Sequence, residues 1–473
     1  MLRVRFAPSP TGYLHIGSAR TFIFNWLYAR RNGGTMILRL DDTDVERNTQ
    51  ASIDSIFDGL HWLDLSWDEF YRQSDRLELH RAAANAILEK GLAYRDFTPA
   101  DTSTEEKVHD GHAWTGNPGQ RDMTKEESNS RAAAGEPFVV RFRVPRENGR
   151  AVAFKDSVYG DQTKSCDDIE DFALLRSNGM PTYHLASCAD DADLRISHII
   201  RGQDHLTNTF KHVLIFEALG VAAPQFAHLP LLIAPDGAKL SKRKHGPVVS
   251  VTTYRDAGFL PHSYVNFLCL LGWSPKDNRE QLTRREIVDI FSFEGVNRSN
   301  AVVNFTEEDP IDPKALWLNS QHLRSLPVVE ILPGVTAVLE AAGFQIPADR
   351  AHFAGVVDVI RARYTTLLDF ATKGRPYFSD DFTIEPIALE KLNEPKAREL
   401  LRELAARLET EPDFSEAVAE KHLRALAAER GVKAGVLING SRAALTGQAV
   451  GPSAFVLFSA IGRDRAIARL KAV

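Results

Sequence analysis

Apolar positions change period several times along the first sixty residues. Leu2 to Phe6 alternate as a strand does, and from Ile16 the residues Ala19, Phe22, Ile23, Trp26 and Leu27 recur at helical spacing until Gly33-Gly34 closes the run. TMILRLDDTD (35–44) is a second apolar strand that runs into an acidic turn, followed by a helical segment from Ser52 to Leu63. Strand, turn, helix, strand and helix in this order open a doubly wound sheet, whose ligands bind beyond the carboxyl ends of the strands. The pattern then breaks. Residues 101–136 are polar and turn-rich and lead into the alternating strand FVVRFRV (138–144), so roughly 75–184 reads as an insertion between two halves of the sheet. RISHIIRGQDH (195–205) resumes it as strand then loop, with a helix from about Thr207 to Leu219. LPLLIAPDGA (229–238) is an apolar, strand-like run ending in a turn, and helical segments such as LPHSYVNFLCLLGW (260–273) follow. From about residue 311, stretches such as ALEKLNEPKARELLRELAARLE (388–409) keep helical period, which predicts an all-helical C-terminal third divided at TKGRPYFSDDF (372–382). The fold class is therefore α/β, with an α+β insertion and an all-α end.

Composition narrows this picture without redirecting it. At 473 residues the chain is long enough for two to four domains, and 44% hydrophobic with 25% charged residues are ordinary globular values. Cys166, Cys188 and Cys269 are too widely spaced for a disulfide framework or a zinc cluster and suit a reducing compartment. MLRVRFAPSP lacks the apolar core of a signal peptide, and no run approaches the ~18 apolar residues of a membrane span. A cytoplasmic protein without membrane contact is expected. The net charge of -6 argues against nucleic acid only as a sum, because basic residues cluster in YARRN (28–32), KLSKRKHG (239–246) and IGRDRAIARLK (461–471).

Two motifs carry chemistry. PSPTGYLHIGS (8–18) links the first strand to the first helix, and a helix mouth opening from a Gly-containing turn concentrates unpaired N–H groups and positive dipole where a phosphate sits. His15 and Gly17 lie at that mouth. KLSKRKHG would place Lys239 and Lys242 on a loop at a strand end. A solvated basic face is the ordinary reading of such a run; two phosphate-type sites in one α/β chain instead suggest one nucleotide held between them.

The motifs, their order and the interrupted sheet resemble the class I aminoacyl-tRNA synthetases, with their HIGH and KMSKS signatures. RFAPSPTGYLHIGSAR, LRLDDTD, GMPTYHLAS, IIRGQDHLTNT and KLSKRKHG, with SRAALTG and AIGRDRAIARL near the end, resemble the bacterial-type glutamyl-tRNA synthetase family over essentially the whole chain. The resemblance implies two halves of a Rossmann-type catalytic domain (1–74 and 185–230), separated by a connective insertion that binds the tRNA acceptor end (75–184). It also implies a KMSKS-loop and stem-contact domain (231–310) and two helical anticodon-binding subdomains (311–375 and 376–473).

By the same resemblance, His15, Lys239 and Lys242 serve catalysis, and ATP is held by Pro8, Thr11, Gly12, His15, Gly17, Ser18, Asp204, Leu232, Ile233 and Lys242. Glutamate is held by Arg5, Ala7, Ser9, Asp41, Tyr183, Ser187 and Arg201. An arginine at a strand end is ordinarily a surface residue, but a substrate with a side-chain carboxylate needs fixed cations, and the planar arginine fork suits it better than lysine. Asp41 and Ser187 depart from the Glu and Asn common in the family. Arg363 in VIRARYTTLLDF (359–370) matches an anticodon-reading arginine: an unpaired C offers the acceptors O2 and N3 to a donor-only guanidinium, whereas G presents donors. Implied partners are glutamate, ATP with Mg²⁺, and tRNA(Glu), on a monomer, with bound tRNA required for glutamate activation. No zinc is expected, because YRDFTPADTSTEEK (94–107) has no cysteine, and His109 and His112 are too few for a tetrahedral site. A glutaminyl-tRNA synthetase, a relative that loads glutamate onto a modified base, and an idle paralogue binding tRNA or protein stay open. The all-helical end and Arg201 weigh against the first, the all-helical end against the second, and the intact motifs against the third.

Overall fold

The computed structural model describes residues 1–43, 48–99, 118–306 and 308–473, and they fall into two compact units, Met1–Thr253 with Val265–Pro310, and Tyr254–Tyr264 with Ile311–Val473. In the first unit the strands of the two larger sheets are β1 (Arg3–Phe6), β2 (Thr35–Leu40), β3 (Glu69–Arg72), β4 (Ala93–Asp96), β5 (Val139–Phe142), β6 (Ala151–Asp156), β7 (Gly160–Ser165), β8 (Ala173–Leu175), β9 (His198–Gly202) and β10 (Gln225–Leu229). Seven of them make one sheet in the order β3-β2-β1-β9-β10-β6-β7; β4, β5 and β8 make a separate antiparallel sheet. β1 pairs in parallel with β2 (Arg3 opposite Thr35, Phe6 opposite Leu38) and, on its other edge, with β9 (Val4 opposite His198). Chain order therefore reverses between β1 and β9, leaving a crevice at their carboxyl ends.

The elements follow from their residues. Met36, Ile37, Leu38 and Leu40 of β2 are all buried, as a strand covered on both faces requires. Ile16, Ala19, Phe22, Ile23 and Leu27 of helix α1 (Ile16–Arg31) are buried too, and the helix closes at Asn32 before Gly33, whose φ of +60° a side chain would strain. Helix α2 (Gln50–Trp62) starts two residues before the predicted Ser52 because Thr49 caps it, accepting from Ser52 N at 3.2 Å.

Two features differ from the sequence reading. Hairpin β6–β7 lies within the stretch read as an insertion, yet it extends the main sheet, with Asp156 of β6 opposite Phe226 of β10 in parallel. The apolar run at 229–238 is not one strand. β10 ends at Leu229 because Pro230 lacks the N–H a ladder needs, and Leu232–Ile233 pairs instead with Ala301–Val302.

The second unit is helical from Pro313 to Ala472, with one core built from residues such as Leu323, Val335, Phe353, Leu404, Leu426 and Leu457. Helix Ala397–Glu409 buries Leu400, Leu401, Leu404, Ala405 and Leu408, one face at helical spacing. Around the predicted break, Arg465 Nε (3.1 Å) and Arg469 Nη2 (2.6 Å) from the last helix both reach the Asp380 carboxylate, pinning that loop. Among the described residues no single helix is long and apolar enough to cross a membrane.

Candidate functional site

A cavity of about 350 Å³ opens where the strand order reverses. The first strand and turn contribute Arg5, Ala7, Pro8 and Ser9, and the helix mouth contributes His15, Gly17 and Ser18. Asp41 follows β2, Tyr183 and Ser187 come from helix Tyr183–Asp193, Arg201 and Asp204 from the end of β9, and Leu232 and Lys239 from beyond β10. Thr11, Gly12 and Ile233 do not line it. Lys242 begins the short helix Lys242–His245 that follows Lys239.

At the helix mouth His15 is the N-cap, and its Nδ1 accepts from Gly17 N at 3.0 Å. In the neutral ring Nε2 then carries the proton and is the donor. Across the cavity Lys239 Nζ sits 2.8 Å from the Asp204 carboxylate; burial raises the pKa of Asp204, but the hydrogen bond and charge of Lys239 together with the nearby His205 and a backbone N–H outweigh it and hold the group below the ordinary range.

Arg201 is buried, and burial lowers its pKa. Its partners are all neutral: Thr209 Oγ1 (2.7 Å from Nη2), His228 Nε2 (3.2 Å from Nε), His212 Nδ1 (3.2 Å from Nη1), Tyr183 Oη (3.3 Å) and the His205 carbonyl (3.3 Å). Burial and the adjacent Arg201 charge hold His205 down to about 4 and His212 well below the histidine range, so these rings are uncharged near neutral pH. Among the described residues Arg201 has no carboxylate partner, which makes it a desolvated cation at the wall of a cavity.

Arg5 is placed differently. Its Nε lies 3.2 Å from Asp191 Oδ1, and the same oxygen takes Arg39 Nη1 at 2.8 Å. Arg39, fully buried on β2, also donates to both Asp41 oxygens, at 2.7 and 3.2 Å. Burial raises the pKa of Asp41 against the pull of Arg39. The neighbouring Asp190 accepts from His80 (2.7 Å), Arg76 (2.8 Å) and Gln73 (2.9 Å). Two successive carboxylates on one helix thus hold the cations behind Arg5 and Asp41. On the same helix the Ser187 hydroxyl, at the cavity wall, is buried without a hydrogen-bond partner among the described residues.

The sequence reading missed Arg39, Asp190, Asp191, His212 and His228. A signal existed for the first three: an arginine inside the apolar run MILRL and an Asp pair in CADDADL are costly in a core unless paired with each other. The histidines carry no local signal, because only the packing of helix Leu206–Leu219 and β10 around Arg201 brings them together.

In the second unit Arg363 lies exposed just past helix Arg350–Arg361. Burial and then the Arg363 charge lower the pKa of Arg442, and the buried Tyr377 hydroxyl beside them has no hydrogen-bond partner among the described residues. His109 and His112 lie outside the described residues. Among the described residues no group of three His, Cys, Asp or Glu side chains is placed to hold a metal ion.

Residues 1–308 match the family model of class I tRNA synthetases (E and Q), catalytic domain, and residues 326–473 match an anticodon binding domain. The chain belongs to the class I tRNA synthetases. It is 55% identical over 473 residues to a glutamate–tRNA ligase of Solibacter usitatus, spanning 99% of this chain and 98% of that one, and 44% identical to glutamate–tRNA ligase 2 of Koribacter versatilis, spanning 99% and 97%. A crystal structure of a glutamate tRNA ligase from Elizabethkingia meningosepticum, in complex with its amino acid, superposes with a TM-score of 0.84 at 31% identity, covering 100% of this chain and 98% of that one. Within the class, the chain's family is that of the glutamate–tRNA ligases.

Proposed function

We propose that this chain joins L-glutamate to tRNA(Glu) in two steps, with Arg5, Asp41, Ser187 and Arg201 holding the amino acid and the helix mouth with the lysine loop holding ATP. The observation that carries the reading is Arg201: a buried guanidinium with only neutral partners is completed by a ligand carboxylate. In the first step a glutamate α-carboxylate oxygen attacks the α-phosphorus of ATP in line, and the bond to pyrophosphate breaks. No side-chain nucleophile is needed, so alignment and charge neutralisation carry the rate. His15 and the N–H groups that open α1 lie where phosphates would be met, and Lys239 and Lys242 meet charge developing on the pyrophosphate. Magnesium would enter with ATP as its phosphate complex and would neutralise charge on the phosphates. In the second step the hydroxyl of the terminal tRNA adenosine attacks the acyl carbon and AMP leaves. The three cysteines are buried and unpaired, which fits a cytoplasmic setting.

The test of the reading is pyrophosphate exchange with glutamate and ATP, with and without tRNA, followed by charging of purified glutamate and glutamine tRNAs. Exchange is expected only with tRNA present. Lys242→Ala should slow it on the order of 10²-fold while glutamate affinity stays, because the lysine acts only as charge builds in the transition state. An unchanged exchange rate would remove the lysine loop from the mechanism.

We assign the third anticodon base to Arg363. The exposed Arg363 guanidinium and the neighbouring half-buried Arg442 form a donor-rich surface suited to a cytosine edge. Arg363→Gln, which adds an acceptor, is expected to permit charging of glutamine tRNA with glutamate; wild-type enzyme that already charges that tRNA efficiently, or an unaltered variant, would contradict the assignment.

A further inference from the structure

We infer that Asp156 and His228 form a positioning pair that fixes the Arg201 guanidinium for the substrate carboxylate, an inference that rests on the reading of Arg201 given above. Asp156 ends β6 where this hairpin meets β10, and His228 stands on β10; both side chains are buried. Asp156 Oδ2 lies 2.6 Å from His228 Nδ1 and 3.2 Å from the His228 backbone N, while Oδ1 accepts from Val158 N and Tyr159 N at 2.9 Å each. An ionised carboxylate only accepts, so the proton belongs to His228 Nδ1 and the neutral ring turns a lone pair outward at Nε2. Burial lowers the His228 pKa although the Asp156 bond opposes it, which agrees with a neutral ring. That lone pair faces Arg201 Nε at 3.2 Å and Thr209 Oγ1 at 3.1 Å, and Thr209 Oγ1 in turn accepts from Arg201 Nη2 at 2.7 Å. The Nε–Nη2 edge of the planar fork is thereby held by two neutral acceptors.

The arrangement solves a conflict. A carboxylate bonded directly to Arg201 would orient it but would also neutralise it and compete with the substrate. With Asp156 one imidazole further back, the guanidinium is oriented while its charge stays available. The ligand-orienting logic is that of outer-shell partners at metal sites.

The pair predicts a split between binding and chemistry that a merely structural role would not produce. Asp156→Asn can donate to Nδ1 and turn His228 into the Nε2–H tautomer, setting one donor against the Arg201 donor. It should raise the Michaelis constant for glutamate about tenfold or more, with kcat and the ATP constant changed less than about threefold. Thr209→Val, of nearly the same shape, should shift the glutamate constant in the same direction by roughly threefold or more. Arg201→Lys is the reference. If it raises the glutamate constant while folded Asp156→Asn and Thr209→Val leave that constant within about twofold, the positioning pair is wrong and the reading of Arg201 stands. If Arg201→Lys itself leaves the glutamate constant unchanged, that reading falls and takes the pair with it. A parallel rise in the glutamate and ATP constants would assign Asp156 to holding the β6–β10 seam alone. Should Asp156→Asn fail to fold, His228→Gln together with Thr209→Val decides the matter by the same criteria.

Discussion

Arg201→Ala is expected to raise the Michaelis constant for glutamate by roughly 30- to 1,000-fold, equivalent to about 2–4 kcal/mol. The size follows from what remains behind. The Arg201 position is buried, so a glutamate side chain entering the variant would surrender water and meet Tyr183, Thr209 and three uncharged imidazoles instead of a cation. Glutamine, which needs no cation, should lose much less, and the preference for glutamate over glutamine should narrow. Steady-state exchange kinetics with both amino acids read this directly. Equal losses for the two would show that Arg201 does not meet the side chain, and an unchanged glutamate constant would move the amino-acid site elsewhere in the cavity.

Arg39→Leu is expected to cost about 3–5 kcal/mol of stability in the first unit, the range for removing one partner of a buried ion pair. Arg39 is wholly buried and joins Asp41 to Asp191, with Asp190 a further 3.6 Å from its Nε. Leucine leaves Asp41 without its bidentate cation and Asp191 with Arg5 alone. The loss should depend on pH in a definite sense. Burial already raises the Asp41 pKa, and without Arg39 it rises further, so the folded variant binds protons more readily than its unfolded chain. A group with a raised folded pKa contributes stability below its unfolded pKa and loses it as pH rises through the folded value. The variant should accordingly recover part of the loss toward pH ~5 and be worst above neutrality. Urea unfolding followed by fluorescence reports it, since Trp26, Trp62, Trp67 and Trp273 all belong to the first unit. A urea midpoint equal to wild type at pH ~8 would show that the acidic pair does not depend on Arg39.

Much of the lining of the candidate cavity was legible because it is built from contiguous motifs. Arg5, Ser9, His15 and Asp41 all sit within a few residues of a strand end or a helix mouth, and strand ends at a topological switch point form the crevice whatever the remaining chain does. The helical end was legible for a similar reason: its apolar residues fall on one face, as in Leu400, Leu401, Leu404 and Leu408, and that pattern needs no knowledge of the partner helix. Hairpin β6–β7 was not legible as part of the main sheet. Its parallel join to β10 runs through Asp156 and Phe226, seventy residues apart in the chain, and nothing local distinguishes that seam from an isolated hairpin.

Local pattern by itself determined the order of the α/β elements, the positions of the helix-mouth and lysine-loop motifs and the helical end, because periodicity and turn chemistry act over a few neighbouring residues. Tertiary structure alone decided the electrostatics. Whether an arginine is paired depends on which carboxylates the fold brings near it: Asp191 comes to Arg5 and Arg39 from a distant helix, whereas no carboxylate among the described residues comes to Arg201. In water those three side chains are alike. Burial separates them, since a low-dielectric interior makes the presence or absence of one opposite charge worth several kcal/mol.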